Sequence, residues 1–224
     1  MHSLLPAPKV VVAPELNVSH SLSINPVGIS DNEWFNTIEV TQIGAVAVYG
    51  EDESDCTEGS GEENACDEIW SLDNYGRLYN WYAVDDNRGL CPTGWHVPSD
   101  NDWLILEITL GMSVEEANYF GLRGSDEGDQ MKTTDGWSGY NWANNVMLID
   151  AGGTNTSGFS ALPGGYRAHN GNFMYAQYSG GWWTTNMSNF PSAVSRGLIV
   201  GEGRVDRDHY TNRSKGLSIR CVKD

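Results

Sequence analysis

The stretch Gly-Leu-Cys-Pro-Thr-Gly-Trp-His-Val-Pro-Ser-Asp, residues 89–100, decides how this chain folds. Trp95-His96-Val97-Pro98 reads as a short strand that stops at the proline. Ser99 follows, with Asp102 three residues on and Trp103, Leu104, Leu106 and Ile108 behind it. A serine at the cap accepts from the third backbone N–H, and an acid in the first turn suits the helix dipole. Gly111 ends that helix, and Ser113 with Glu116 opens a second. Four further blocks surround this strand and helix. They are Tyr-Gly-Arg-Leu-Tyr-Asn-Trp-Tyr from Tyr75, Gly-Phe-Ser-Ala-Leu-Pro-Gly-Gly-Tyr-Arg from Gly158, Gly-Gly-Trp-Trp-Thr-Thr from Gly180, and Gly-Leu-Ser-Ile-Arg-Cys-Val-Lys-Asp from Gly216.

In that order, over roughly residues 40–224, the five blocks resemble the Fibrobacter succinogenes major paralogous domain. That family looks like a branch of the C-type-lectin-like fold and is related to formylglycine-generating enzymes. The resemblance implies an α+β fold with small twisted antiparallel sheets, two helices and long structured loops. It implies little about activity, which has to be argued from a site.

Elsewhere the chain carries other strand and loop signals. Trp34, Ile38, Val40 and Ile43 among polar residues, then Ala45 to Tyr49, read as strands. Tyr75 to Val84 reads as a strand or a short helix. Strands are expected at Phe159–Leu162, Phe173–Ala176, Trp182–Thr185, Ala193–Val200 and Leu217–Val222, with long loops over 131–142 and 144–157. Residues 1–33 read as an extended arm punctuated by Pro6, Pro8, Pro14 and Pro26, and residues 34–224 as the domain. The first residues lack a basic stretch followed by an apolar core, so they do not read as a signal peptide. Either a signal has already been removed or the protein leaves its cell by another route, such as inside a virus particle. No run is long and apolar enough to span a membrane.

A formal charge of −17 on 224 residues argues against nucleic acid as a partner. The charge is uneven. Residues 51–68 hold nine acids and no base, whereas residues 151–224 hold eight bases and four acids. The acidic stretch reads as a solvated loop; a cation site or a contact to a neighbouring subunit are the competing readings.

The four cysteines, Cys56, Cys66, Cys91 and Cys221, form no CxxC and have no histidine at zinc spacing. They allow three pairings, and free buried thiols remain an alternative. The favoured set is Cys56–Cys66, closing the acidic loop, and Cys91–Cys221, a link from mid-chain to the last strand that lectin-like folds often use. Two bridges imply an oxidising setting.

An enzyme is not expected. His2, His20, His96, His169 and His209 have no defensible acid–nucleophile spacing; His96 reads as a core hydrogen-bonder. Formylglycine-generating enzymes use reactive cysteines, and those here look committed to bridges. No cofactor or metal is expected: the Glu-Pro-Asn and Trp-Asn-Asp triplets of sugar-binding lectins are absent, and Asp126, Glu127 and Asp129 read as a solvated turn. A recognition module for a surface glycan or protein fits better. Trp182 and Trp183 point to opposite faces of a strand, so one should be core; the other either presents its ring at the surface or is buried as well. Arg196 to Lys215 mixes Arg, Asp, Tyr, Asn and Ser as paratope loops do, although a plain polar hairpin has the same composition. Trp183, Asn186, Asp206, Asp208, Tyr210 and Asn212 are the expected ligand contacts. The protein is expected outside the cell or on a virion. The alternative is a structural or decorating subunit of a particle or fibre, held through the arm and the acidic loop.

Overall fold

The computed structural model describes residues 44–50, 66–141, 146–148, 151–189 and 191–224. The expected arm, the strands before Gly44, most of the acidic loop and Cys56 lie outside them. The fold is α+β. Its centre is a six-stranded sheet in the order β4-β11-β10-β9-β7-β8. These strands are β4 (Gly121–Arg123), β7 (Gly164–Arg167), β8 (Phe173–Ala176), β9 (Ser179–Met187), β10 (Ser192–Ile199) and β11 (Val205–Asn212). Three two-stranded pairs flank it: β1 (Val46–Val48) with β2 (Arg77–Tyr79), β3 (Trp95–His96) with β12 (Val222–Lys223), and β5 (Gly139–Asn141) with β6 (Val146–Leu148).

The helix signals translate directly. α3 (Asp100–Leu110) starts at a complete capping box between Ser99 and Asp102 and stops at Gly111, and Ser113 caps α4 (Val114–Ala117). Asp67 accepts from the backbone of Ile69 and Trp70 and so starts α1 (Glu68–Tyr75), within the stretch read as a solvated acidic loop. Asn80 caps α2 (Trp81–Val84), so Tyr75–Val84 holds both a strand and a short helix. The last helix is α5 (Glu127–Met131).

Three expectations are corrected. Phe159–Leu162 is not a strand; Ala161 makes a single bridge to Lys132. The 131–142 and 144–157 loops contain the β5–β6 pair. His96 is exposed rather than in the core, with Nδ1 2.7 Å from Asp224 and Nε2 3.5 Å from Asp102.

The inner face of the sheet packs on α3. Trp103 and Leu106 meet Trp182, Leu198 and Val205 in the largest apolar cluster. This face also buries three arginines in neighbouring strands, Arg123, Arg196 and Arg207, with Arg196 directly opposite Arg207. Like charges this close repel. Two carboxylates from α3 answer them. Asp100 and Glu107 are seven residues apart and so share one helix face. Glu107, 0% exposed, takes Arg196 Nε at 2.7 Å and also the Arg123 guanidinium. Asp100 takes Arg207 at 2.6 Å and Arg196 at 2.8 Å. Burial pushes the Asp100 carboxyl up, but bonding to Arg207 and the charge of Arg196 outweigh it and leave it below its ordinary value.

Cys91 and Cys221 are bonded, with sulfurs 2.02 Å apart across 130 residues. Cys66 is also disulfide-bonded. The Cys91–Cys221 bridge fixes the last block, whose buried Arg220 donates to the carbonyls of Phe159 and Ser160. No helix among the described residues is long and apolar enough to cross a membrane.

Removing one partner of a buried ion network leaves the others uncompensated. Glu107→Ala should therefore cost about 3–5 kcal/mol in chemical denaturation. A loss within the ~1 kcal/mol of an exposed pair would contradict the assignment.

Candidate functional site

The outer face of the sheet is divided into a covered and an open half. Register places Ser195 between Trp183 and Asp208, and Gly197 between Gly181 and Asp206, all on the face opposite the arginines. Over β9 this face is covered by Trp81 of α2 and by Leu217 of the C-terminal block, which pairs alongside the strand. Trp183 N–H donates to Ser218, Ser218 N–H to Gly181, and Leu217 N–H to Tyr79. Trp183 packs with Trp81, Ala193 and Leu217, and its indole N–H donates to the Tyr79 carbonyl at 2.7 Å. It is 0% exposed, and Trp182 is 3% exposed. The expectation that Trp183 offers a ring to a ligand is therefore wrong. Both faces of β9 are covered, one by α3 and the other by α2 and the returning chain.

Over β10 and β11 the face is open. Asp206 stands here, half-buried, beside exposed Leu122 of β4. Its carboxylate has no hydrogen bond or ion pair within the described residues. Burial and the neighbouring Asp208 push its carboxyl above the ordinary value, against the pull of Arg123, Arg196 and Lys215. Lys215 is half-buried too. Its Nζ lies 3.6 Å from the centre of the Tyr166 ring, and burial lowers its pKa against the pull of Asp208 and Asp206. Its ammonium likewise makes no hydrogen bond or ion pair there. Tyr166 leads to Tyr175 and Tyr178, each next pair of rings 5.6 Å apart. Tyr175 is exposed and sits at φ 63°. That conformation is costly for a bulky side chain, and such strain gathers at functional sites.

Asp208 does a different job. Between Ala193 and Ser195 the register with β11 slips by one residue. Asp208 closes this bulge, accepting Tyr210 N–H at 2.7 Å and the Thr211 hydroxyl at 2.8 Å. The bulge turns Tyr210 outward, where it is 69% exposed. Tyr210 tops a column of stacked groups. Its ring centre is 3.8 Å from His209, which is 3.9 Å from Phe120, which lies 4.2 Å from the buried Arg207 guanidinium. Arg207 is held by Asp100, so the exposed ring is anchored to the core.

Asn186 is exposed but accepts Asp100 N–H at 2.7 Å, helping to start α3. Asn212 is half-buried and accepts from Ser214 N–H and Oγ in a turn. Of the six residues expected as contacts, Asp206 and Tyr210 thus have groups left over for a ligand. Asp208, Asn186 and Asn212 are largely spent on local structure, and Trp183 is core. Gly197, Lys215, Tyr166 and Phe120 were not foreseen. A glycine inside the expected strand Ala193–Val200 was the available signal, because it weakens a strand unless something approaches closely.

Among the described residues no group of three or more His, Cys, Asp or Glu is arranged to hold a metal ion. Glu127 is buried and accepts from the backbone of Ser125 and Asp126, and Asp129 pairs with Lys132 at 2.8 Å.

The raised carboxyl of Asp206 gives a stability test. A raised acid binds its proton more tightly folded than unfolded, so the wild type loses stability as pH rises from the unfolded value through the folded one. Asp206→Asn removes that loss. Its melting temperature should exceed the wild type's at neutral pH, and the gap should close in acid, where Asp206 is protonated anyway. An equal gap at all pH values, or a destabilised variant, would show that the carboxylate is compensated.

No curated protein and no solved structure matches the chain. The family description Fibrobacter succinogenes major domain matches residues 29–223, nearly the full length. With the five blocks falling on the sheet, its helix and its returning C-terminal segment, the chain belongs to the Fibrobacter succinogenes major domain family.

Proposed function

We propose that this chain is a non-enzymatic recognition module that binds a glycan or protein ligand outside the cell or on a virion. The observation that carries the reading is the anchored aromatic column. Tyr210 is exposed at 69%, yet it rests through His209 and Phe120 on a buried arginine. A rigid, amphipathic ring fixed in advance loses little entropy on binding, which is what recognition surfaces ask of tyrosine. Two unpartnered half-buried charges on the same strand and turn, Asp206 and Lys215, add polar groups that gain from a ligand.

The likeness to C-type lectins and to formylglycine-generating enzymes is part of this reading, supported by the mixed helices and small sheets and by the long structured loops. The absence of catalysis is argued from the cysteines: Cys66, Cys91 and Cys221 are in disulfides, and a bridged sulfur is no nucleophile. The disulfides also support an oxidising location.

The test uses fluorescently labelled protein on a panel of intact bacterial and animal cells. Binding should be saturable, and Tyr210→Ala should lower it at least tenfold. Its stability should shift by under about 0.5 kcal/mol, as for exposed substitutions. A large stability loss with binding unchanged would overturn the reading. So would a protein that binds no cell and is recovered only in stoichiometric assemblies; that result belongs to a decorating or structural subunit.

A further inference from the structure

We infer that the open half of the sheet's outer face is a binding notch for a neutral saccharide, floored by Gly197, with Asp206 and Lys215 as its hydrogen-bonding walls and the exposed Tyr175 ring as its outer stacking surface. This rests on the recognition reading and specifies its ligand.

Gly197 carries the argument. Each other glycine in a described strand has a structural reason to lack a side chain. Gly121 and Gly165 adopt positive φ. An added Cβ would come within 3.2 Å of Tyr75 at Gly164, 2.3 Å of Tyr178 at Gly139, 2.6 Å of Leu162 at Gly180 and 3.1 Å of Leu217 at Gly181. At Gly197 it would meet only Asp206, at an ordinary 3.5 Å, and nothing else within 4 Å. A side chain would fit, and alanine in a strand interior loses less backbone freedom on folding than glycine does. The fold does not explain this glycine; close approach by a ligand does.

The groups around the notch select the ligand's chemistry. An ionised carboxylate only accepts hydrogen bonds and an ammonium only donates them. Neither makes a hydrogen bond or ion pair among the described residues, Lys215 touching only the Tyr166 ring, so each gains when a bond replaces lost water. A hydroxyl both donates and accepts, so neighbouring ring hydroxyls satisfy Asp206 and Lys215 together. The pyranose C–H face suits the exposed Tyr175 ring, which stands 5.6 Å from the Tyr166 ring that Lys215 covers. Charge decides between sugar classes. At the notch itself two carboxylates, Asp206 and Asp208, stand against one ammonium, Lys215. Sialylated and sulfated sugars are repelled there.

The experiment applies the full chain to an array of immobilised neutral, sialylated and sulfated oligosaccharides, beside the cell panel. Neutral sugars should be retained, with acidic ones at least tenfold weaker. Gly197→Ala, which fits the strand, should lose at least tenfold in sugar binding while melting no lower than the wild type. Asp206→Ala should lose a similar amount, and a free neutral monosaccharide should compete. Four results would overturn the inference and leave recognition standing: cell binding with no neutral sugar bound, sugar binding untouched by Gly197→Ala and Asp206→Ala, a preference for acidic sugars, or cell binding abolished by protease treatment of the cells but not by periodate. Competition by a free amino acid in place of the monosaccharide would likewise assign the notch to a zwitterion. Absence of any binding, to cells or array, would remove both readings.

Discussion

Two carboxylates on one face of a helix hold this molecule together. Glu107 and Asp100 project from α3 against Arg123, Arg196 and Arg207, which β4, β10 and β11 line up side by side. Three guanidinium groups on adjacent strands cannot share a buried face without compensating charge. Once α3 supplies it, the order β4-β11-β10 and the seating of the helix are fixed together. The arginines add further bonds: Arg123 reaches the carbonyls of Ala117 and Val205, and Arg207 that of Asn118. A hydrophobic layer of the same area would hold the helix less specifically, because apolar contact is non-directional.

That network determines which face of the sheet stays open. With the inner face sealed by α3, the sheet can be read only from outside. The C-terminal block then takes half of that outer face. It returns alongside β9, where Trp183 N–H donates to Ser218, Ser218 N–H to Gly181 and Leu217 N–H to Tyr79, and is tied by Cys91–Cys221. The half over β10 and β11 is left open. Arg207, bound to Asp100 beneath the sheet, lies against Phe120 and so underpins the exposed Tyr210.

Much of the fold was legible where a residue acts through its own backbone. Ser99, Asp102, Gly111 and Ser113 marked helix ends correctly because capping is local. Phe173–Ala176 and Ala193–Val200 fell on strands, and Cys91–Cys221 followed from the resemblance. What failed depends on distant partners. Nothing near Trp183 in sequence tells that residues 216–218 return alongside it. The helix after Asp67 was hidden because acids around it suggested solvent, although the aspartate was the cap. Residues 205–212 looked like a polar loop because their buried positions are filled by arginine and threonine rather than by apolar residues. The composition of Arg196–Lys215 pointed to the right region, and Asp206 and Tyr210 lie in it with groups to spare. It could not tell them from Asp208 and Asn212, because a bulge and a turn consume those side chains.

The proposed site has ligand on the open outer face while the arginine face stays sealed. Amide and side-chain NMR shifts, recorded on the isotope-labelled full chain during titration with a neutral oligosaccharide, test it directly. The account predicts concentration-dependent shifts centred on Gly197, Asp206, Lys215 and Tyr166, with Glu107 and Arg123 unmoved. Shifts centred on α3 and its arginines, or a spectrum unchanged at saturating sugar, would contradict it.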